Sequence, residues 1–157
     1  MAAELELQLQ EWTPLPCSSH TSDPHLEGKI IAAGIMLQWA ALMRLHLIVS
    51  PDPVDVRHPK VRVAVQNILA ALETIPPGDL VENMLIFPVF AAGFGAANAE
   101  ERRVVDERFE VMEWSIGFGN VFDAHEAVRL HWARTDAGEY SPRDMLSRRR
   151  RPRKIGP

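Results

Sequence analysis

Apolar residues in this chain recur at steps of three and four, and no segment alternates convincingly as a strand would. The run "IIAAGIMLQWAALMRLHLIV" carries Ile30, Ala33, Leu37, Ala41, Leu45 and Ile48 at helical spacing, and "SPDP" stops it, which predicts a helix from about His25 to Val49. A second helix opens at Pro59, where a missing N–H costs nothing, and aligns Val61, Val65, Ile68, Leu69 and Leu72 before "IPPG" ends it. Asp79, with Glu82 three residues on, has the form of a capping box ahead of Leu80, Met84, Leu85, Val89 and Ala92. Pro88 lies inside that pattern and lacks the N–H that would reach the Met84 carbonyl, so a kink or break is expected there.

Beyond Pro88 the chain carries Ala91, Ala92, Gly93, Gly95, Ala96 and Ala97, a face small enough for another helix to approach closely. Asn98 with Glu101 predicts the next cap, with Val105, Phe109, Met112 and Ile116 inward and Arg102–Asp106 and Arg103–Glu107 paired along the outside. Asn120 with Asp123 predicts another, lined by Val121, Ala124, Val128 and either Trp132 or His131. A short last helix is expected from Ser141-Pro142. The expectation is an all-α fold of about six helices in an antiparallel array, one of them kinked near Pro88. Residues 1–24 read as an N-terminal segment and linker, 25–147 as the helical body, and 148–157 as a basic tail.

Charge changes this picture at one end only. Formal net charge is −4, yet six of the seventeen basic residues lie in the last ten positions: Arg148, Arg149, Arg150, Arg151, Arg153 and Lys154. The remainder has 11 basic residues against 21 acidic, a balance of −10 that repels a phosphate backbone. The tail "SRRRRPRK" is a candidate nuclear-import cluster, but it lacks the aromatic interleaving of single-strand binders. Cys17 is the single cysteine, so neither an internal disulfide nor a cysteine-based zinc site can form within the chain. The start "MAAELELQLQEW" has no signal-peptide pattern, and Gln38, Arg44 and His46 interrupt the longest apolar run. A soluble intracellular protein with no membrane contact is expected.

Chemical motifs are few. "GFGAAN" supplies Gly93 and Gly95 of a dinucleotide fingerprint, but Asn98 stands at the third position and no strand precedes it. "HEAVR" places Arg129 where a zinc-binding helix needs a second imidazole, so His125 is expected to be a partly exposed helix residue. His20, His25, His46 and His58 are scattered, and Ser115 lacks the glycine of a nucleophile elbow. Glu100, Glu101, Asp106, Glu107, Glu110 and Glu113 run among arginines, which reads as a solvated helix face. No catalytic residue, metal ligand or cofactor is assigned.

The segment from His58-Pro59, through Pro76-Pro77, Pro88 to Phe90, Ala92-Gly93, Ala96 and Glu101-Arg102, to Asn120 and Trp132 resembles the C-terminal part of the fungal-specific transcription factor regulatory domain. That domain is the effector region of zinc binuclear-cluster regulators, and the likeness spans roughly residues 30 to 146. The resemblance implies a non-catalytic helical effector domain in the nucleus, controlled through protein partners or a small inducer. The family's DNA-binding module needs six cysteines, so this chain is expected to make no sequence-specific DNA contact itself. It reads as a fragment lacking that module, with apolar stripes left uncovered and hence self-association or binding to a longer relative. The alternative is a small-molecule-binding helical protein or an enzyme, with a pocket around Gly93 and Gly117–Gly119.

Overall fold

A computed structural model of the chain describes residues 1–14, 23–49 and 56–138. These residues form α1 (Ala2–Glu11), α2 (Pro24–Val49), α3 (Pro59–Leu72), a 3-10 turn (Leu80–Met84), α4 (Ile86–Gly95), α5 (Ala99–Ser115) and α6 (Gly119–Asp136), with no strand among them. The fold is all-α. The expected helix from Ser141 and the whole basic cluster, Arg148 to Lys154, lie outside the described residues.

The core gathers Met36, Ile68, Leu72, Val89, Phe109 and Met112 from α2 to α5, with α6 closing it through Val121 and Val128. In α2 the fully buried line is Ala33, Met36, Ala40 and Met43, rotated from the predicted stripe, and Ile48 is exposed. This helix is apolar on nearly every side, so periodicity alone sets its orientation weakly and its neighbours decide. It is long and apolar enough to cross a membrane by length and composition, and here it packs against α1, α3 and α4. One of those neighbours is α1, a helix in the N-terminal segment, for which the sequence pattern predicts none. Gln38 donates to the Leu9 and Trp12 carbonyls at 2.6 and 2.7 Å, and Gly34 lies under Pro14 and Trp12.

The stretch around Pro88 breaks rather than bends. Asp79 caps as expected, accepting from the Val81 amide at 3.2 Å, but it opens a 3-10 turn. That turn swings Leu80 and Met84 outward, and Leu80 is 89% exposed. A new helix starts at Ile86, so Pro88 occupies its first turn, where an N–H has no partner to lose. Glu82 does not reach back to the cap. It is buried, accepting from Arg108 at 3.0 Å and from the Ser115 hydroxyl at 2.7 Å, while Arg108 also donates to the Leu72 and Ile75 carbonyls.

The small residues after Pro88 serve close helix contact. A Cβ added to Gly93 would sit 2.7 Å from Val128 Cγ1, and one on Gly95 2.5 Å from Val65 Cγ2. Trp132 donates its indole N–H to the Gly93 carbonyl at 2.7 Å, and Arg62 donates to the Gly95 carbonyl. Both faces where an anion would have to approach are therefore occupied by protein.

Candidate interaction surface

Helices α5 and α6 run in opposite directions across a polar seam. Arg102 pairs with Asp136, Arg129 with Asp106, and His125 with both Asp106 and Glu113. Gly117 makes the connection, at φ +66, a region open to glycine without strain. Asn120 and Asp123 do not cap α6. The helix starts two residues earlier, with Phe118 at its N-cap and no side-chain cap.

His125 is 2% exposed, against the expectation of a partly exposed residue. Its ring stacks on Phe109 at 4.9 Å, with Nδ1 2.6 Å from Glu113 and Nε2 2.8 Å from Asp106. Hydrogen bonds from Arg129 and then from His125 hold the Asp106 carboxyl below the usual carboxylate range, against the opposing effect of burial. Arg103 pairs with Glu107 as predicted, whereas Arg102 chooses Asp136 over Asp106 and lies 5.6 Å over the Trp132 ring. Glu101 is likewise no solvated residue. Burial opposes its ionisation, but Arg62 and the Ala97 amide more than compensate and leave its pKa lowered.

His46, His58 and Ser115, which the sequence also singled out, have structural partners as well. His46 and His58, scattered in sequence, meet at 3.2 Å, and His58 accepts from the Lys60 amide at the start of α3. Burial, then the neighbouring His58 and Lys60, lowers the pKa of His46. Ser115 is engaged by Glu82. Among the described residues no group of three His, Cys, Asp or Glu side chains is arranged to hold a metal ion.

What stays open is apolar. A cleft of about 460 Å³ lies where the 3-10 turn, α4 and the start of α6 converge, lined by Met84, Ile86, Phe87, Phe90 and Ala124 with Asn83 and Asn120 beside them. It is not the pocket expected around Gly93, because Val128 and Val105 fill that position. Beyond the cleft α4 packs on α6: Phe90 and Phe94 touch at 4.6 Å, and Phe94 meets the buried His131 of α6 at 4.5 Å. Burial pushes the pKa of His131 down to about 4, with the Arg102 charge adding to it and the Phe94 backbone opposing, so this ring is neutral at pH 7. Near the α5–α6 connection Trp114 is 93% exposed, and Phe118 and Phe122 are exposed as well. An open apolar cleft, with exposed aromatics elsewhere on the described surface, suits a macromolecular contact better than chemistry on a small substrate. Sequence periodicity missed the cleft because it treated Leu80 and Met84 as core positions of a continuous helix.

The fold and this surface define a helical domain without a visible reaction centre among the described residues. The sequence profile of the fungal specific transcription factor domain matches residues 1–150, and the chain belongs to that family. Comparisons with curated proteins and with solved structures return no match. The profile reaches well ahead of the likeness read from residue 30 onward, and so includes α1.

Proposed function

We propose that this chain is a non-catalytic effector domain of a fungal transcription regulator of the zinc binuclear-cluster type, acting through protein contacts. Membership of the transcription factor domain family across residues 1–150 carries the reading. The chemistry supports it: the buried and half-buried ionic groups are spent on helix-to-helix bonds, while the open surface beside α4 is apolar. With Cys17 as its single cysteine the chain cannot build a six-cysteine zinc cluster, so base-specific contacts are left to another DNA-binding module. The nucleus is the setting this role requires, and the arginines from Arg148 onward are the candidate import signal. A small inducer is a second input to the same site, since the cleft volume falls within the range of ligand pockets, roughly 300–1,000 Å³.

Tethering tests the role directly. The full chain, fused to an unrelated DNA-binding domain, is expected to raise or lower transcription from a reporter several-fold relative to that domain alone. Unchanged reporter output at equal nuclear protein levels would overturn the effector reading.

A further inference from the structure

The fold brings two histidines together at the far side of the molecule from the cleft residues' polar neighbours, where α2 ends and α3 begins. His46 lies in the last turn of α2 and His58 is the N-cap of α3, and His46 Nε2 stands 3.2 Å from His58 Nδ1. The ring planes are tilted by 40° and the centroids lie 4.5 Å apart, so the rings lean over each other instead of meeting nitrogen to nitrogen in line. Two nitrogens on adjacent corners of a tetrahedron around zinc, with bonds of about 2.0–2.1 Å, are about 3.3 Å apart. The pair therefore already stands at ligand spacing, with one imidazole on each of two helices.

Both nitrogens can present a lone pair. His58 Nδ1 accepts from the Lys60 amide at 3.3 Å, so it carries no proton of its own. Burial, then the neighbouring His58 and Lys60, lowers the pKa of His46, and that ring is neutral at pH 7. A neutral His46 can hold its single proton on Nδ1 and leave Nε2 bare. Glu6 of α1 pairs with Lys60, and its charge reaches His46, where it opposes the lowering. Among the described residues no third His, Cys, Asp or Glu is already placed with the pair. Water completes the coordination, or Glu6 after it exchanges Lys60 for the ion.

We propose that His46 and His58 form a binding site for a borderline divalent ion, zinc above all, that clamps the end of α2 to the start of α3. Imidazole suits zinc, copper and nickel, whereas calcium and magnesium take oxygen ligands. On binding, the His46 proton shifts from Nε2 to Nδ1 and the ion takes its place between the two rings. The Lys60 amide gives up a long cap bond, and coordination holds His58 at the helix start in its stead. The ion binds only where α2 and α3 are docked, so it stabilises the folded chain. The site uses no residue of the apolar cleft and stands or falls independently of the transcriptional role.

The test uses the full chain at pH 7, titrated with zinc and followed by thermal unfolding, beside His46→Gln and His58→Asn. Asparagine keeps a capping acceptor at the start of α3 while removing the imidazole, so the second variant retains its helix. The unaltered chain is expected to show a midpoint that rises with zinc and not with magnesium. Each variant is expected to bind zinc at least about tenfold more weakly. Cobalt in place of zinc is expected to give a visible absorption band in the unaltered chain that both variants lack. No zinc response in the unaltered chain would overturn the proposal. An equal response in all three chains would overturn it as well, because the ion would then be adventitious only. A response lost in one variant and kept in the other would leave a single imidazole in use, and the clamp between helices would fall.

Discussion

His131 shows how a residue can stabilise this fold by refusing a proton. Buried between Phe94 and the end of α6, it titrates near 4 in the folded chain, against about 6.5 when unfolded. The unfolded state therefore binds the extra proton first, and the contribution present above pH 6.5 is lost as pH falls toward 4. The full loss amounts to about 3–4 kcal/mol at most, since each pKa unit is worth about 1.4 kcal/mol. Thermal unfolding between pH 7 and pH 4.5 is expected to show a falling midpoint. His131→Gln should flatten that slope over this range, and an equal slope in both proteins would contradict the assignment. Spacing along the sequence offered Trp132 or His131 for the inner face, and the fold buries both. It could not show the environment of His125, whose two carboxylates come from α5, 12 and 19 residues away. Glu82 was hidden for the same reason: its buried partner, Arg108, lies 26 residues on. Local patterns report caps and faces, whereas cross-helix ion pairs are settled by tertiary packing.

At the scale of elements, α4 is the piece around which α5 and α6 are placed. It is short and apolar and stabilised little by its own backbone, so its position depends on what its glycines admit. Val128 and Val105 meet Gly93 directly, and Trp132 takes its carbonyl. Gly93→Ala would drive a methyl into branched side chains that cannot swing aside, and is expected to cost about 1–3 kcal/mol despite the better helix propensity of alanine. Chemical denaturation checks this, and Gly119→Ala serves as the control because nothing lies within 4 Å of the Cβ it would add. A neutral or stabilising Gly93→Ala would show that the helices are not seated as described. The starts and stops of α2, α3 and α5 were legible because Pro59, Asn98 and the "IPPG" turn act within a few residues. The turn ahead of α4 was not: its apolar spacing fits an α-helix, and only the packing of Val81 and Leu85 shows that Leu80 and Met84 face out. The helix α1 escaped notice because no residue in it is buried, leaving no apolar stripe to read.

Among the described residues, helices joined by cross-helix ion pairs leave an apolar cleft open beside α4. We propose the cleft, rather than a group of polar side chains, as the place where this domain meets a partner. Met84 tests it best, since it lines the cleft yet is 42% exposed, so a charge there leaves the core intact. The decisive measurement is the tethered reporter read for Met84→Glu beside the unaltered chain, at matched abundance and matched thermal stability. The account predicts that Met84→Glu loses most of the reporter effect while remaining folded. A folded Met84→Glu protein with full effect would contradict it and move the interaction surface elsewhere.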